Sequence, residues 1–184
     1  MTAGKRIKSS SGRMERLISQ VLDMSLINGG VGLGSVLKPV DLVPIMVDLA
    51  DEFRTARPDL QLDVEMPPSL MAAADADRIA QVIGNLISNA YHHGTIGGVV
   101  RVVLRREGDE VLIEVINAGE EIPEETAKTL YNPFKRLATN NARNKGGMGL
   151  GLYIAKQIMT EHGGTIRYSY AAPYVSFLLT LPQG

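Results

Sequence analysis

The sequence predicts an α+β protein: a two-layer sandwich of a mixed, mostly antiparallel sheet with helices on one face, preceded by one N-terminal helix. Three observations predict it. Residues 60–66 alternate as Leu-Gln-Leu-Asp-Val-Glu-Met, the mark of a half-buried strand. Two neighbouring pairs of apolar segments, 99–105 with 111–116 and 165–170 with 174–181, are joined by short turns, as antiparallel hairpins require. Helical apolar spacing over 42–56, 76–91 and 150–161 is interleaved with these strands.

The elements follow in order. Over residues 5–27, Ile7, Met14 and Val21 recur every seven positions, Leu17 and Met24 sit three after the last two, and Ile18 and Leu22 widen the stripe. That is a bundle or coiled-coil pattern, weakened at its start by Ser9, Ser10 and Ser11. Such a face packs either on its own domain or on another chain or segment. Gly29, Gly30, Gly32 and Gly34 then read as a hinge or linker. The chain therefore divides into a helix at 1–28, a glycine-rich linker at 29–35 and a domain at 36–184.

In that domain, residues 36–40 read as a short strand and Asp41 as the N-cap of a helix over 42–56. After the strand at 60–66, Asp75 or Asp77 caps the helix that runs to about Tyr91. Glu107, Gly108 and Asp109 make the turn between the central strands. Residues 130–148 show little periodicity, and the helix at 150–161 and the final hairpin close the domain.

Bulk composition excludes several functions. The chain has 184 residues, 45% of them hydrophobic, enough for one compact domain and an appendage. A net charge of −1 gives no basis for broad attraction to nucleic acid or membrane. Cysteine is absent, which removes disulfides, thiol catalysis and cysteine-ligated zinc. His92, His93 and His162 do not form a metal set. No apolar run approaches the roughly 20 residues of a membrane span, and the polar N-terminus has no signal-peptide core. The expectation is a soluble, cytoplasmic chain, cut or uncut from a larger protein that is itself soluble or membrane-anchored.

Five groups of residues carry chemistry. Gly147, Gly149 and Gly151 alternate with Met148, Leu150 and Leu152 immediately before a helix. Glycines let backbone N–H groups approach a ligand, and a helix start supplies free donors and a positive dipole end, so phosphate fits here; a plain loop fits the same residues. Asn85 and Asn89 are four apart and share one helix face. Amide oxygens are neutral ligands for a hard cation such as Mg2+, although two amides also serve as caps or backbone bridges. Asn117, followed by Ala118 and Gly119, ends a strand where its amide either reads a base edge or simply makes a turn. Residues 128–145 hold Lys128, Lys135, Arg136, Arg143 and Lys145 without an acidic residue, suiting a mobile cover over polyphosphate or a solvated loop. His92, at a helix end, touches phosphate or caps carbonyls, whereas His162 reads as structural.

Taken in order, these motifs resemble the catalytic, ATP-binding domain of sensor histidine kinases in the GHKL superfamily, whose architecture is the Bergerat fold. Residues 85–94 match the N-box, Asn117-Ala118-Gly119 stands at the first glycine box, Tyr131-Asn132-Pro133-Phe134 resembles the F-box, and residues 147–152 match the second glycine box. The closing segments 161–166 and 177–182 also match, so the resemblance covers about 36–184. Residues 12–23 resemble the second helix of the dimerisation and phosphotransfer hairpin, without its first helix or phosphoacceptor histidine.

The resemblance implies ATP and Mg2+ as cofactors, with Asn89 on the metal, Asn85 supporting it and His92 at a phosphate-contacting position. It further implies nucleotide contacts from His93, Asn117, Gly119, Ile122, Phe134, Arg136 and Lys145, and from Gly147, Met148, Gly149, Leu150, Gly151 and Leu152. Residues 135–148 would be the ATP lid. Implied partners are the missing phosphoacceptor helix, a downstream response regulator and a second copy through the N-terminal helix. Related ATPases place a Glu at position 85 as a general base; Asn85 cannot take that proton, which favours transfer over hydrolysis. Two departures stand out: Asn117 replaces the carboxylate that binds the adenine amino group, and Glu121 replaces the second glycine. Asn in this box followed by Ile122-Pro123 resembles kinases of the bacteriophytochrome type. A degenerate nucleotide-binding module that regulates a partner and, more remotely, an anti-sigma-factor-type serine kinase remain alternatives.

Overall fold

A computed structural model describes residues 3–135 and 148–182. The chain forms two compact units, Met1–Gly34 and Ser35–Gly184. The first is one helix, α1 (Ala3–Asn28), and the glycine-rich stretch after it. Within α1, side chains are described for Met14 and from Leu17 onward, and Ile7 lies outside them. Met14, Ile18, Val21 and Leu22 are all more than half exposed, whereas Leu17 and Met24 of the same apolar face are half-buried.

The second unit begins with β1 (Lys38–Asp41), α2 (Leu42–Ala56), β2 (Gln61–Glu65) and β3 (Met71–Ala74). It continues with α3 (Ala76–His93), β4 (Val99–Glu107), β5 (Glu110–Ala118) and α4 (Glu124–Ala127). It closes with α5 (Gly151–Glu161), β6 (Thr165–Ala171) and β7 (Tyr174–Pro182). The main sheet has five strands in the order β2-β4-β5-β7-β6. Only β2 and β4 pair in parallel; the other pairs are antiparallel, as the hairpin patterns predict. The register places Val102 opposite Val115, Val115 opposite Phe177 and Phe177 opposite Tyr168, one continuous row across the sheet.

Strand alternation makes one face apolar, and the helices cover it. Val100, Val102, Leu104, Val111, Ile113, Val115, Leu179 and Leu181 are buried there, as are Ile79, Val82, Ile83, Leu86 and Ile87 of α3 and Ile154, Ile158 and Met159 of α5. Full burial of a Leu or Ile side chain contributes about 1.5–3 kcal/mol, so the α3 stripe alone fixes that helix firmly on the sheet.

Two elements depart from the sequence reading. Strand β3 is an alanine run with little strand propensity; it forms because it pairs antiparallel with β1, Lys38 opposite Ala74 through Asp41 opposite Met71. Helix α4 is one turn after Pro123, too short for a periodicity signal. Of the two caps the sequence left open for α3, the structure has Asp75, whose carboxylate accepts from the Arg78 N–H. Asp41 caps α2 through the Val43 N–H, as expected.

Both caps also tie distant backbone. Asp41 accepts from the Leu70 N–H at 3.0 Å and the Ser69 hydroxyl at 2.8 Å, and these bonds hold its carboxyl below the usual range. Burial pushes the Asp75 carboxyl up, but the N–H groups of Val36 and Arg78 and the nearby His162 and Arg78 together hold it below the usual range. A carboxyl lowered by folding stabilises fully above its unfolded value, near 3.9, and loses that contribution as pH falls through the folded value. The urea midpoint should therefore stay level from pH 7 to about 5 and drop below about pH 4. Asp75→Ala should cost about 1 kcal/mol at pH 7, the usual loss for an N-cap, and shrink the acid drop. An acid limb identical to that of the wild type would contradict this assignment.

Candidate active site

The site is built on α3. Its apolar stripe, Ile79, Val82, Ile83, Leu86, Ile87 and Ala90, is buried. Asn85, Ser88, Asn89 and His92 run half-buried along the edge of that stripe. Burial of one side holds the polar edge in register without using the polar groups themselves.

Those polar groups are differently occupied. The Asn85 amide donates to the Gly151 carbonyl at 3.4 Å, a long bond that places it beside the first residue of α5. The Asn89 amide has no hydrogen-bond partner among the described residues. His92 Nδ1 lies 2.6 Å from the Ser88 carbonyl, which can only accept, so Nδ1 carries a proton and the ring is held by its own helix. The Tyr91 and His92 rings meet edge to face at 5.2 Å. Tyr91 in turn donates to Asp59 at 2.9 Å and lies under the Arg57 guanidinium at 4.5 Å. His93, the last residue of α3, is half-buried beside Gly94.

Asn117 reaches the end of α3 because Gly94 leaves room for it. A Cβ at Gly94 would lie 2.5 Å from the Ala90 carbonyl oxygen and 2.8 Å from the Asn117 side-chain nitrogen. The Thr95 N–H donates to the Ala118 carbonyl at 2.8 Å, stitching the loop after α3 to the end of β5. Asn117 is buried, and its amide N–H donates to the Ala118 carbonyl at 3.0 Å. Gly119 has no positive φ. Its Cβ would crowd the Asn117 amide at 3.2 Å and Val175 at 3.6 Å, so contact explains the glycine.

The second wall comes from the segments before and after residues 136–147. Ile122 is buried, and its N–H donates to the Tyr168 hydroxyl at 2.9 Å. Burial pushes the Tyr131 phenol up to about 12, against a smaller pull from the Tyr168 backbone. Phe134 is 60% exposed at φ 62°, an unusual conformation for a bulky residue. Gly149, at φ 72°, sits directly against Phe134 and Lys135; a Cβ there would collide with the Lys135 carbonyl. Lys135 and Gly149 are thereby in close contact. Arg136, Lys145 and Gly147, expected to contact nucleotide, lie outside the described residues, as do Asn140, Asn141 and Arg143.

Helix α5 then starts without a cap. Leu150, its N-cap residue, is buried, and no side chain bonds the first N–H groups. The next intrahelical bond begins at Ile154 N–H to Leu150 carbonyl, so the preceding donors are available for an anion. Gly151 differs from Gly149: a Cβ there would make ordinary contact with Asn85 at 3.6 Å. Met148 and Leu152 flank this start half-buried. Among the described residues no cluster of His, Asp or Glu could hold a metal, so a cation here would rest on a neutral amide and on oxygens of its ligand.

His162 is buried and fully engaged. Its Nε2 accepts from the Asp75 N–H at 3.0 Å and its Nδ1 faces the Ile158 carbonyl at 2.8 Å. It is structural, as the sequence suggested. Tyr168 escaped the sequence reading; as an inward-facing residue of β6 it carried the strand alternation but no motif of its own.

Residues 74–184 match the family described as histidine kinase-, DNA gyrase B-, and HSP90-like ATPases. The chain belongs to this family. It is 40% identical over 178 residues to a bacteriophytochrome of Pseudomonas aeruginosa, an alignment covering 97% of this chain and 24% of that protein. It is 32% identical over 181 residues to the probable sensor histidine kinase TcrY of Mycobacterium tuberculosis, covering 98% of this chain and 38% of that protein. The chain thus spans well under half the length of these relatives. The catalytic domain of histidine kinase ThkA aligns with a TM-score of 0.70 at 26% identity, over 80% of this chain and 95% of that domain. ThkA in complex with response regulator protein TrrA shares the fold over the whole chain, with a TM-score of 0.74 at 24% identity and 52% of that chain covered. The α/β unit corresponds to the ATP-binding catalytic part of two-component sensor histidine kinases.

Gly149 and Gly151 should respond oppositely to alanine. Gly149→Ala meets both a positive φ and the Lys135 carbonyl and should lower stability by more than 1 kcal/mol. Gly151→Ala lies in the first turn of α5 with room to spare and should leave stability unchanged or raised by up to about 1 kcal/mol. Thermal unfolding of both variants checks this; equal losses would contradict it.

Proposed function

We propose that this chain binds ATP with Mg2+ between the amide edge of α3 and the uncapped start of α5, and presents the γ-phosphoryl to a histidine on a phosphoacceptor helix outside these residues. The observation that carries the reading is Asn89, an oxygen ligand with no partner among the described residues, on the helix whose Asn85 touches the start of α5. A magnesium ion bound to phosphate oxygens supplies charge neutralisation during transfer, and Asn89 is the residue that would hold it, supported by Asn85. His92, His93, Phe134, Arg136 and Lys145 are proposed around the phosphates and lid, with Gly147, Met148, Gly149, Leu150, Gly151 and Leu152 along the phosphate loop.

Asn117 would read the base. One of its two N–H groups donates to Ala118, and its amide oxygen can accept from the exocyclic amino group of adenine. Gly119 and Ile122 would frame the same base.

In the transfer the bond from the γ-phosphorus to the bridging oxygen breaks, an N–P bond to imidazole forms, and ADP leaves. Two of the three histidines here are engaged otherwise: His162 has both ring nitrogens occupied, and His92 is held to Ser88 within the site. Asn85 cannot act as a base toward water, so the arrangement favours transfer over hydrolysis. A response regulator is the expected onward partner, a second copy of the chain is expected on the exposed face of α1, and a cytoplasmic location follows from the need for ATP. The alternative is a module that binds nucleotide and regulates a partner without transfer; the uncharged Asn117 is the residue that favours it.

Isothermal titration with a non-hydrolysable ATP analogue and Mg2+ tests the reading. The wild type should bind, Asn89→Ala should weaken Mg2+-dependent binding at least about tenfold, and Asn117→Ala several-fold, about 1 kcal/mol. No binding at millimolar nucleotide by well-folded protein would overturn it. Labelled ATP with a phosphoacceptor hairpin added in trans separates the two readings: label on the hairpin histidine excludes the regulatory module.

A further inference from the structure

The chain enters the α/β unit through a run of hydrogen bonds that the nucleotide reading does not use. Ser35 donates twice to one oxygen of Glu161, from its N–H at 3.1 Å and from its hydroxyl at 2.6 Å. The next residue, Val36, donates its N–H to Asp75 at 2.9 Å. The other oxygen of Asp75 caps α3 through the Arg78 N–H, and the Asp75 N–H donates to His162 Nε2. His162 Nδ1 returns to the Ile158 carbonyl of α5. Two successive residues are thus fastened to the first turn of α3 and the last turn of α5.

Glu161 is the anomalous member. It is the last residue of α5, where the helix dipole disfavours a carboxylate, and no basic residue shares that turn. Its carboxylate takes both donors of Ser35. The clasp holds the ends of α3 and α5 away from the nucleotide groups, which sit at Asn85, Asn89 and the start of α5. Helices of 18 and 11 residues are stiff rods of about 27 and 16 Å, so a shift at one end is carried to the other.

We propose that Ser35, Asp75, Glu161 and His162 are positioning residues that couple the incoming chain to the nucleotide site, so that clasping favours nucleotide binding and nucleotide favours clasping. The inference rests on the nucleotide reading above. Thermodynamic linkage makes the two effects equal in size.

Amide exchange at Ser35 and Val36 in the whole 184-residue chain, with and without Mg2+ and the ATP analogue, tests it. Saturating nucleotide should slow exchange at both positions more than within β1, and Glu161→Ala should weaken analogue binding about 5-fold, the lower end of ordinary coupling. Ser35→Ala should weaken binding alone but add little in the Glu161→Ala background. Glu161→Gln, whose amide oxygen still accepts, should restore part of the affinity. A clasp that is only structural would give lower melting temperatures with unchanged affinity and no nucleotide-dependent protection, and that result overturns the proposal. Absence of analogue binding by the well-folded wild type overturns the nucleotide reading and this coupling with it.

Discussion

Helix α3 serves the site only because its two long sides do different work. One side is a stripe of Ile, Val and Leu sealed against the sheet; the other is a row of amides and an imidazole left at the edge. The sealed side supplies the free energy that keeps the helix in place, so Asn85, Asn89 and His92 need make no stabilising contacts of their own. An unpartnered buried amide is costly in an ordinary core. It is tolerable at a half-buried edge, where water or a ligand completes it. The remaining parts are arranged around that edge: α5 abuts it at Asn85, Gly94 admits the end of β5, and Gly149 packs against Phe134 and Lys135.

Glycines set these close approaches, each for its own reason. Gly149 combines a left-handed backbone with a carbonyl pressed against its α-carbon, Gly94 yields space to the Ala90 carbonyl and to Asn117, and Gly151 has room for a methyl group. A motif written as alternating glycines therefore contains positions of unequal necessity, which the geometry separates and the letters alone do not.

The sheet was legible in the sequence because its strands alternate cleanly: Val100, Val102 and Leu104 against Val111, Ile113 and Val115 admit one hairpin register with the apolar side inward. The cap Asp41 was legible, and that of α3 was narrowed to Asp75 or Asp77, because a carboxylate before an apolar helical run has a local meaning. Strand β3 was not, because its four residues say nothing without the partner strand β1. The candidate site was legible as an ordered set of motifs, with Asn85, Asn89, Asn117 and Gly149 at its walls. The clasp was invisible for a different reason: Ser35 and Glu161 stand 126 positions apart, and no local pattern announces a contact of that range.

The central claim is that nucleotide sits between the amide edge of α3 and the start of α5. The most direct measurement is a nuclear magnetic resonance shift map of isotopically labelled chain titrated with Mg2+ and an ATP analogue. The account predicts the largest changes at the side-chain amides of Asn89 and Asn117 and at the backbone amides of Gly149, Gly151 and Leu152. Changes concentrated instead in the groove lined by Met66, Ser69, Met71 and Arg106, with Asn89 and Gly151 unmoved, would contradict it.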